Sequence, residues 1–225
     1  MVVTVIAAHD VSKEYTRGKE IVRALKNIEL EIKEGEFIAI VGSSGCGKTT
    51  LLNILSGLDV PTSGRAFLDG QDTSTLNESS FPKVRLEKVG FIFQDFNLIE
   101  DMTVIENVEA PLYPTKLKNK KIREKALNLL RLVDLVDRKD HLPKQLSGGE
   151  QQRVSIARAL VNDTKVVFAD EPTGNLDSTT GTEILELLKK LNKEQNTTIM
   201  LVTHDMKNAE YAKRRIKLED GKVVA

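Results

Sequence analysis

Cysteine, net charge and long apolar runs are what this sequence has least of. Its one cysteine, Cys46, cannot close a disulfide within the chain, which suits a reducing compartment. Lysine plus arginine, 33 residues, balance aspartate plus glutamate, also 33. No bulk field therefore favours an anionic membrane surface or nucleic acid, and no nucleic-acid partner is expected. The longest apolar runs, such as TIMLV at 198–202, fall far short of the roughly 20 residues a membrane-spanning helix needs. The opening MVVTVIAAHD is apolar but short and lacks a positively charged lead. Contact with a membrane is thus expected only at its surface or through a partner. Repeats, low-complexity tracts and long linkers are also missing, which points to one domain over 1–225.

What is present alternates between two patterns. VTVIAAHDVS (3–12) and VRALKNIELEIKEGE (22–36) read as half-buried antiparallel strands, the second ending at Gly35. FIAIVG (37–42), KVVFAD (165–170) and TTIMLVTH (197–204) are continuous apolar runs, as expected of strands buried on both faces. KTTLLNILSG (48–57) has a glycine stop at Gly57, and STTGTEILELLKKLNKEQ (178–195) has helical spacing. The middle, from about Asp95 to Leu160, is mostly helical in pattern, with Ile122, Ala126, Leu129, Leu130 and Val133 on one face of an amphipathic helix. Asp220-Gly221 is a two-residue hairpin signal. These segments predict an α/β nucleotide-binding core with a parallel sheet, an antiparallel β edge near the N-terminus and a helical insertion.

Three stretches carry chemistry. GSSGCGKT, from Gly42 to Thr49, matches G-x-x-x-x-G-K-[ST] between a buried strand and a helix. Its backbone N–H groups would curl around phosphate oxygens, Lys48 would reach the β- and γ-phosphates, and Thr49 would ligate Mg²⁺. Asp170 and Glu171 follow a buried run, and two adjacent carboxylates there are costly unless they serve something. Asp170 fits the Mg²⁺ shell and Glu171 a general base for water. His204 closes the third buried strand, at the end where ligands of α/β sheets bind, and is expected to contact the γ-phosphate.

LSGGEQQRVSIARAL (146–160) reads as a helix with a weak first turn. Ser147 and Glu150 have the spacing of a capping box. Gly148 and Gly149 between them each cost about 1 kcal/mol relative to alanine inside a helix. Capping alone does not explain them. Glycines there bare the backbone N–H groups and let an anion come close, so a second phosphate-binding helix end is expected.

Together with VVFADEPTGNLDS and LVTHD, these stretches resemble the ATP-binding cassette (ABC) ATPases, in the family's order and over essentially the whole chain. LSGGEQQ is similar to the family's signature. The resemblance implies an ATPase of P-loop NTPase (RecA-like) fold that uses ATP and Mg²⁺, with a mostly parallel sheet, an N-terminal antiparallel β subdomain and a helical subdomain over about 95–160. It implies that two copies pair head to tail, with each ATP between one copy's phosphate loop and the other's signature. Ser147, Gly148, Gly149 and Glu150 would then serve the partner's nucleotide. Gly42, Ser43, Ser44, Gly45, Cys46, Gly47, Lys48, Thr49 and Thr50 would hold the chain's own phosphates. The resemblance places Tyr15 on adenine, and Gln94 (in FIFQDF) on metal or water and facing a membrane subunit. It places Asp177 (in GNLD) in a loop that crosses to the partner. Lys48, Gln94, Glu171 and His204 carry the implied catalysis.

Three positions depart from the family pattern. Asn175 stands where alanine is commoner. Cys46 stands where serine is frequent, its thiol expected to be acidified by Lys48 and the helix start and hence alkylation-sensitive. Phe81-Pro82 is expected to break a usually charged helical stretch on the permease-facing side. SSGCGKTTLLNILSGLDVPTSG, GFIFQDFNLIEDMTVIENVEAPL and ADEPTGNLDS look like cassettes of the lipoprotein-release, macrolide-exporter and antimicrobial-peptide-resistance types. That likeness implies a cytoplasmic subunit held at the inner face of the cell membrane by a permease. The alternatives are a membrane-associated regulatory cassette of the cell-division type and a soluble ABC machine. Soluble members typically carry coiled coils, zinc modules or two cassettes, none of which is read in this sequence.

Overall fold

In the computed structural model, which describes residues 3–18, 20–76 and 81–224, the apolar runs become the middle of a six-stranded sheet. In chain order, β1 (Thr4–Arg17) and β2 (Glu20–Lys33) form a long hairpin, and β3 (Phe37–Val41) leads into α1 (Lys48–Leu55). Strands β4 (Ser63–Leu68) and β5 (Gln71–Asp72) precede α2 (Phe81–Lys88) and β6 (Val89–Ile92). The helical stretch holds α3 (Val104–Glu109), α4 (Asn119–Leu132) and α5 (Gly148–Leu160). Then come β7 (Val166–Asp170), α6 (Ser178–Gln195), β8 (Thr198–Thr203), α7 (Met206–Ala209), β9 (Arg214–Glu219) and β10 (Lys222–Val223).

The central sheet has the order β10-β9-β3-β8-β7-β6 and is parallel except for the terminal β9–β10 hairpin. The first sheet, β2-β1-β4-β5, is antiparallel throughout. The result is an α/β fold: a mostly parallel sheet, a separate antiparallel sheet and helices.

The continuous runs are explained by two cores. Phe37, Ala39, Val41, Val167, Ala169, Ile199 and Leu201 face the helices α3 to α6. Their alternates Ile38, Ile40, Val166, Phe168, Met200 and Val202 face α1 and the first sheet. Side chains alternate along each strand, but both sides are dry, so no polar residue breaks the pattern.

Local signals set the ends of the elements. Helix α1 stops as expected: the amides of Gly57 and Leu58 donate to the Ile54 and Asn53 carbonyls, with Gly57 at φ 71°. The described part of α2 begins at Phe81-Pro82, and the residues that would precede a break there, 77–80, lie outside the described residues. Helices occupy 104–160, whereas 93–103 is a loop in which Phe96 and Asn97 take left-handed φ of 59° and 50°. The Asp220-Gly221 turn is present, with φ of 46° and 77°.

Strand β6 meets α5 where Gly90 has no side chain. A Cβ there would run into the Ala159 carbonyl. Gly90→Ala is expected to cost about 1–3 kcal/mol as overpacking, read as a lowered urea midpoint. An unchanged midpoint would contradict this packing.

Candidate functional site

The loops after β3, β6, β7 and β8 gather at the carboxyl edge of the parallel sheet, where ligands of open α/β sheets bind. The first is the phosphate loop between β3 and α1. Helices α3, α5 and α6 each have a side-chain N-cap. Helix α1 starts instead on Gly47, at φ 108°, with no side-chain cap. Its first amides are left for an anion. Glycine is required at two places: a Cβ on Gly47 would lie 2.5 Å from the Ala24 carbonyl oxygen, and one on Gly42 would run into the Leu218 carbonyl. The Gly221 amide, at the tip of the last hairpin, donates to the Cys46 carbonyl at 3.0 Å. Lys48 is buried, and its Nζ donates to the Gly42 and Ser43 carbonyls, both at 2.9 Å. Beside Gly42–Ser44 opens a cleft of about 970 Å³, also lined by His204, Arg215 and Lys217.

The carboxylates come next. Glu171 takes φ 46°, a left-handed backbone that costs energy for a glutamate, and its amide donates to Val202 O of β8 at 3.0 Å. Its Oε2 accepts the Thr203 hydroxyl at 3.2 Å. Its Oε1 accepts the His204 amide at 2.9 Å and lies 2.7 Å from His204 Nδ1. Facing a carboxylate, Nδ1 is the protonated ring nitrogen. Asp170 Oδ2 accepts the Thr49 hydroxyl at 3.4 Å. Burial, then the Glu171 charge, pushes the Asp170 carboxyl above its usual range, against the Thr49 bond and the Lys48 charge. An acid in that state gains from a nearby cation. Among the described residues no group of three or more His, Cys, Asp or Glu could hold a metal alone. One hydroxyl and one carboxylate do suit Mg²⁺, whose remaining ligands are water and phosphate oxygens.

The third group links the loop 93–103, called the glutamine loop for its Gln94, to α5. Gln152, fully buried, donates from Nε2 to the carbonyls of Phe93 at 3.3 Å and Pro172 at 2.6 Å. Arg158 donates to the carbonyls of Phe96 at 2.9 Å and Asn97 at 2.6 Å. Gln94 Nε2 donates to Asn175 Oδ1 at 3.2 Å, and Asn175 Nδ2 donates back to Gln94 O at 3.1 Å and Asp95 Oδ1 at 2.8 Å. Asn175 thus ties the loop before α6 to the glutamine loop. Asp177 Oδ1 caps α6, accepting the amides of Thr179 and Thr180.

At the tip of α5 the capping box is closed: Ser147 Oγ accepts the Glu150 amide at 3.3 Å, and Glu150 Oε2 accepts the Ser147 amide at 2.8 Å. Glu150 also pairs with Arg138 at 3.3 Å. Among the described residues, none of the side-chain bonds of Ser147 or Glu150 reaches the phosphate loop. The glycines have a second reason to be there. A Cβ on Gly149 would run into Thr180 Cγ2 of α6, and one on Gly148 would lie 3.2 Å from Leu176. Packing against α6 and Leu176 is thus a reason for glycine at both positions beside the expected approach of an anion.

The ABC transporter family model matches residues 25–174. The chain belongs to the ABC transporter ATP-binding family. It is 49% identical over 222 residues to the uncharacterized ABC transporter ATP-binding protein MJ0796 of Methanocaldococcus jannaschii, covering 97% of this chain and 94% of that one. It is 48% identical over 220 residues to the macrolide export ATP-binding/permease protein MacB of Vibrio parahaemolyticus, covering 98% of this chain and 34% of that one. The dimeric post-hydrolysis structure of MJ0796 bound to ADP and Pi matches with a TM-score of 0.89 at 47% identity, covering 98% of this chain and 97% of that one. The cassette is an ATP-binding, ATP-hydrolysing subunit of this transporter family.

Several of the cassette's site residues were not singled out from sequence. Gln152 stands four positions before buried Ile156 on α5, and a polar residue on a buried helix stripe is a readable signal of a bonded role. Arg158, Lys13 and Asp59 gave no such signal. Tyr15 lies on β1 with its hydroxyl on Asp59 Oδ2 at 2.9 Å, and pairs across the hairpin with Val22. A groove of about 740 Å³ lies between α2, β6 and the helical stretch, lined by Leu58, Leu86, Phe91 and Pro111 with Arg85 and Arg158.

Cys46 corrects the expectation of an alkylation-sensitive thiol. Only its backbone belongs to the loop, while its side chain is 5% exposed and packs in the core with Ile40 and Leu218. A buried thiol is inert whatever charge lies near its backbone. Native chain is expected to react slowly with a maleimide, with or without nucleotide, and unfolded chain fully. Fast stoichiometric labelling of the native chain would contradict this burial.

Proposed function

We propose that two copies of this cassette close head to tail around two ATP molecules and that this closure drives a membrane permease. The supporting observation is the separation of the two phosphate-binding helix ends. One chain carries an uncapped α1 tip and a glycine-opened α5 tip, and the second is bonded to its own helix and to Arg138, away from the first. A second copy supplies the missing half. In this reading the whole chain, 1–225, is one cassette, and about 95–160 is the helical subdomain that presents Ser147, Gly148, Gly149 and Glu150 to the partner's nucleotide. MJ0796 has been seen as a dimer bound to ADP and Pi, which favours the same pairing here.

Within each site the amides from Gly42 to Thr50 and the Lys48 ammonium hold the phosphates. Lys48 exchanges the Gly42 and Ser43 carbonyls for phosphate oxygens. Thr49 and Asp170, joined by Gln94, would hold Mg²⁺, which supplies charge neutralisation on the phosphates. Glu171 accepts a proton from the attacking water, held in place by Thr203 and His204. For His204 to donate to the γ-phosphate, the ring must turn from Glu171 and present the nitrogen that carries its proton. Tyr15 stacks on the adenine. Asp177 and Asn175 lie in the loop that meets the partner, so closure and the glutamine loop are coupled through the Gln94–Asn175 bonds. Positioning and charge supply most of the rate.

The permease would seat in the groove beside the glutamine loop, whose walls are apolar and whose rim carries Arg85 and Arg158. No helix among the described residues is long and apolar enough to cross a membrane, so attachment to the cytoplasmic face of the membrane would be through that partner. Likeness to MacB, a macrolide export ATP-binding/permease protein, favours a permease of the macrolide-exporter type.

Glu171→Gln is expected to lower hydrolysis by at least about 100-fold, the lower range of general-base contributions. The variant should elute from size exclusion as a dimer with ATP and Mg²⁺ but not with ADP. A monomer under both conditions would contradict the two-copy sandwich.

A further inference from the structure

Tyr15 does not stand free on its strand. Lys13, two residues earlier on the same face of β1, places its Nζ 4.9 Å from the centroid of the Tyr15 ring. The same ammonium donates to Asp59 Oδ1 and to Val60 O, both at 2.7 Å. Asp59 Oδ2 in turn accepts the Tyr15 hydroxyl at 2.9 Å. One carboxylate therefore holds both the cation and the phenol. Burial pushes the Asp59 carboxyl up, but bonds from Lys13, Tyr15 and the Val60 amide together pull it below its usual range.

The unit is anchored at both ends. Lys13 is 9% exposed, rare for a lysine unless it is paired. Asp59 follows α1, and the amides of Leu58 and Asp59 both donate to Asn53 O, at 2.8 and 3.1 Å. The turn that closes the helix begun at the phosphate loop thus leads into the residue that holds the Tyr15 hydroxyl. Tyr15 itself stays 37% exposed, beside Val22 at 44%. With a cation over one face of the ring, the other is left for a flat ligand.

We propose that Lys13 and Asp59 are positioning residues that lock Tyr15 as a preset stacking surface for the nucleotide base. The inference rests on the assignment of Tyr15 to the adenine. A ring already fixed loses little rotamer freedom when a base lands on it, and the lost freedom of a loose one is subtracted from affinity. The side-chain bonds of Lys13 and Asp59 run to each other, Tyr15 and Val60 and not to the phosphate loop, so the effect falls on binding and not on turnover.

The test compares ATP with tripolyphosphate, which carries phosphates but no base, on the intact cassette. Lys13→Met and Asp59→Asn are expected to raise KM for ATP roughly threefold to tenfold, part of the about 5- to 150-fold that loss of a whole base stack brings. Inhibition by tripolyphosphate and kcat should stay within about twofold. Lys13→Arg, which keeps a cation for Asp59, should restore most of the affinity. Tyr15→Phe, which keeps the ring and loses the hydroxyl that Asp59 holds, should fall between wild type and Tyr15→Ala, and keeps the test open if a Lys13 variant fails to fold. Parallel weakening of tripolyphosphate would overturn the proposal, since the pair would then be supporting the phosphate loop. An unchanged KM in Lys13→Met and Asp59→Asn, with a raised KM in Tyr15→Ala, would overturn it and leave the adenine assignment standing. If Tyr15→Ala leaves the ratio of ATP to tripolyphosphate affinity unchanged, the adenine assignment falls and the positioning role with it.

Discussion

Backbone amides without an acceptor at the start of α1 are the constraint that the rest of the molecule serves. A helix start that no side chain caps is unfavourable unless an anion completes it. This fold keeps that start in place from several sides. Strand β3 delivers it, Ala24 and Leu218 press close enough that only glycine fits at positions 47 and 42, and the Gly221 amide fixes the Cys46 peptide. Lys48 turns back onto the loop's own carbonyls. Asp170, held above its normal pKa range by burial and by Glu171, is the matching electrostatic strain on the other side. In the proposed function both are relieved by one event, the arrival of phosphate with a cation.

The α5 helix distributes that event. Its tip is a second helix start with glycines at the first two positions, and its flank grips the glutamine loop through Gln152 and Arg158 by backbone carbonyls alone. Gln152 also holds Pro172, the residue after the proposed general base. The loop that faces the proposed permease, the loop that carries Glu171 and the signature helix are therefore joined by a few hydrogen bonds, of which the one from Gln152 to Pro172 is buried.

Much of this was legible in the sequence. Continuous apolar runs marked the buried strands because both faces of each are dry, and glycine and Asp-Gly signals marked where α1 stops and the last hairpin turns. The phosphate loop, the paired carboxylates and the capping box were readable because their residues are adjacent or three apart. What was not readable depends on neighbours far along the chain. Asp59 under Tyr15, Gln152 against Pro172 and Asn175 against Gln94 are pairs that only the folded topology brings together. The same limit explains one misreading: Cys46 looked reactive from its neighbours in sequence but is buried, beside Leu218 of β9. It also hid the contact of Gly149 with Thr180 of α6.

The sharpest measurement mixes two damaged chains. Lys48→Ala removes the phosphate-loop lysine. Gly148→Asp puts a carboxylate in the first turn of α5, where the helix tolerates it but a phosphate does not. Each variant alone should be nearly inactive. If each nucleotide is held between one copy's phosphate loop and the other's α5 tip, a mixed dimer contains one intact site, and mixing should restore ATP hydrolysis well above the sum of the parts. No gain on mixing, with both chains folded and able to dimerise, would contradict the head-to-tail site.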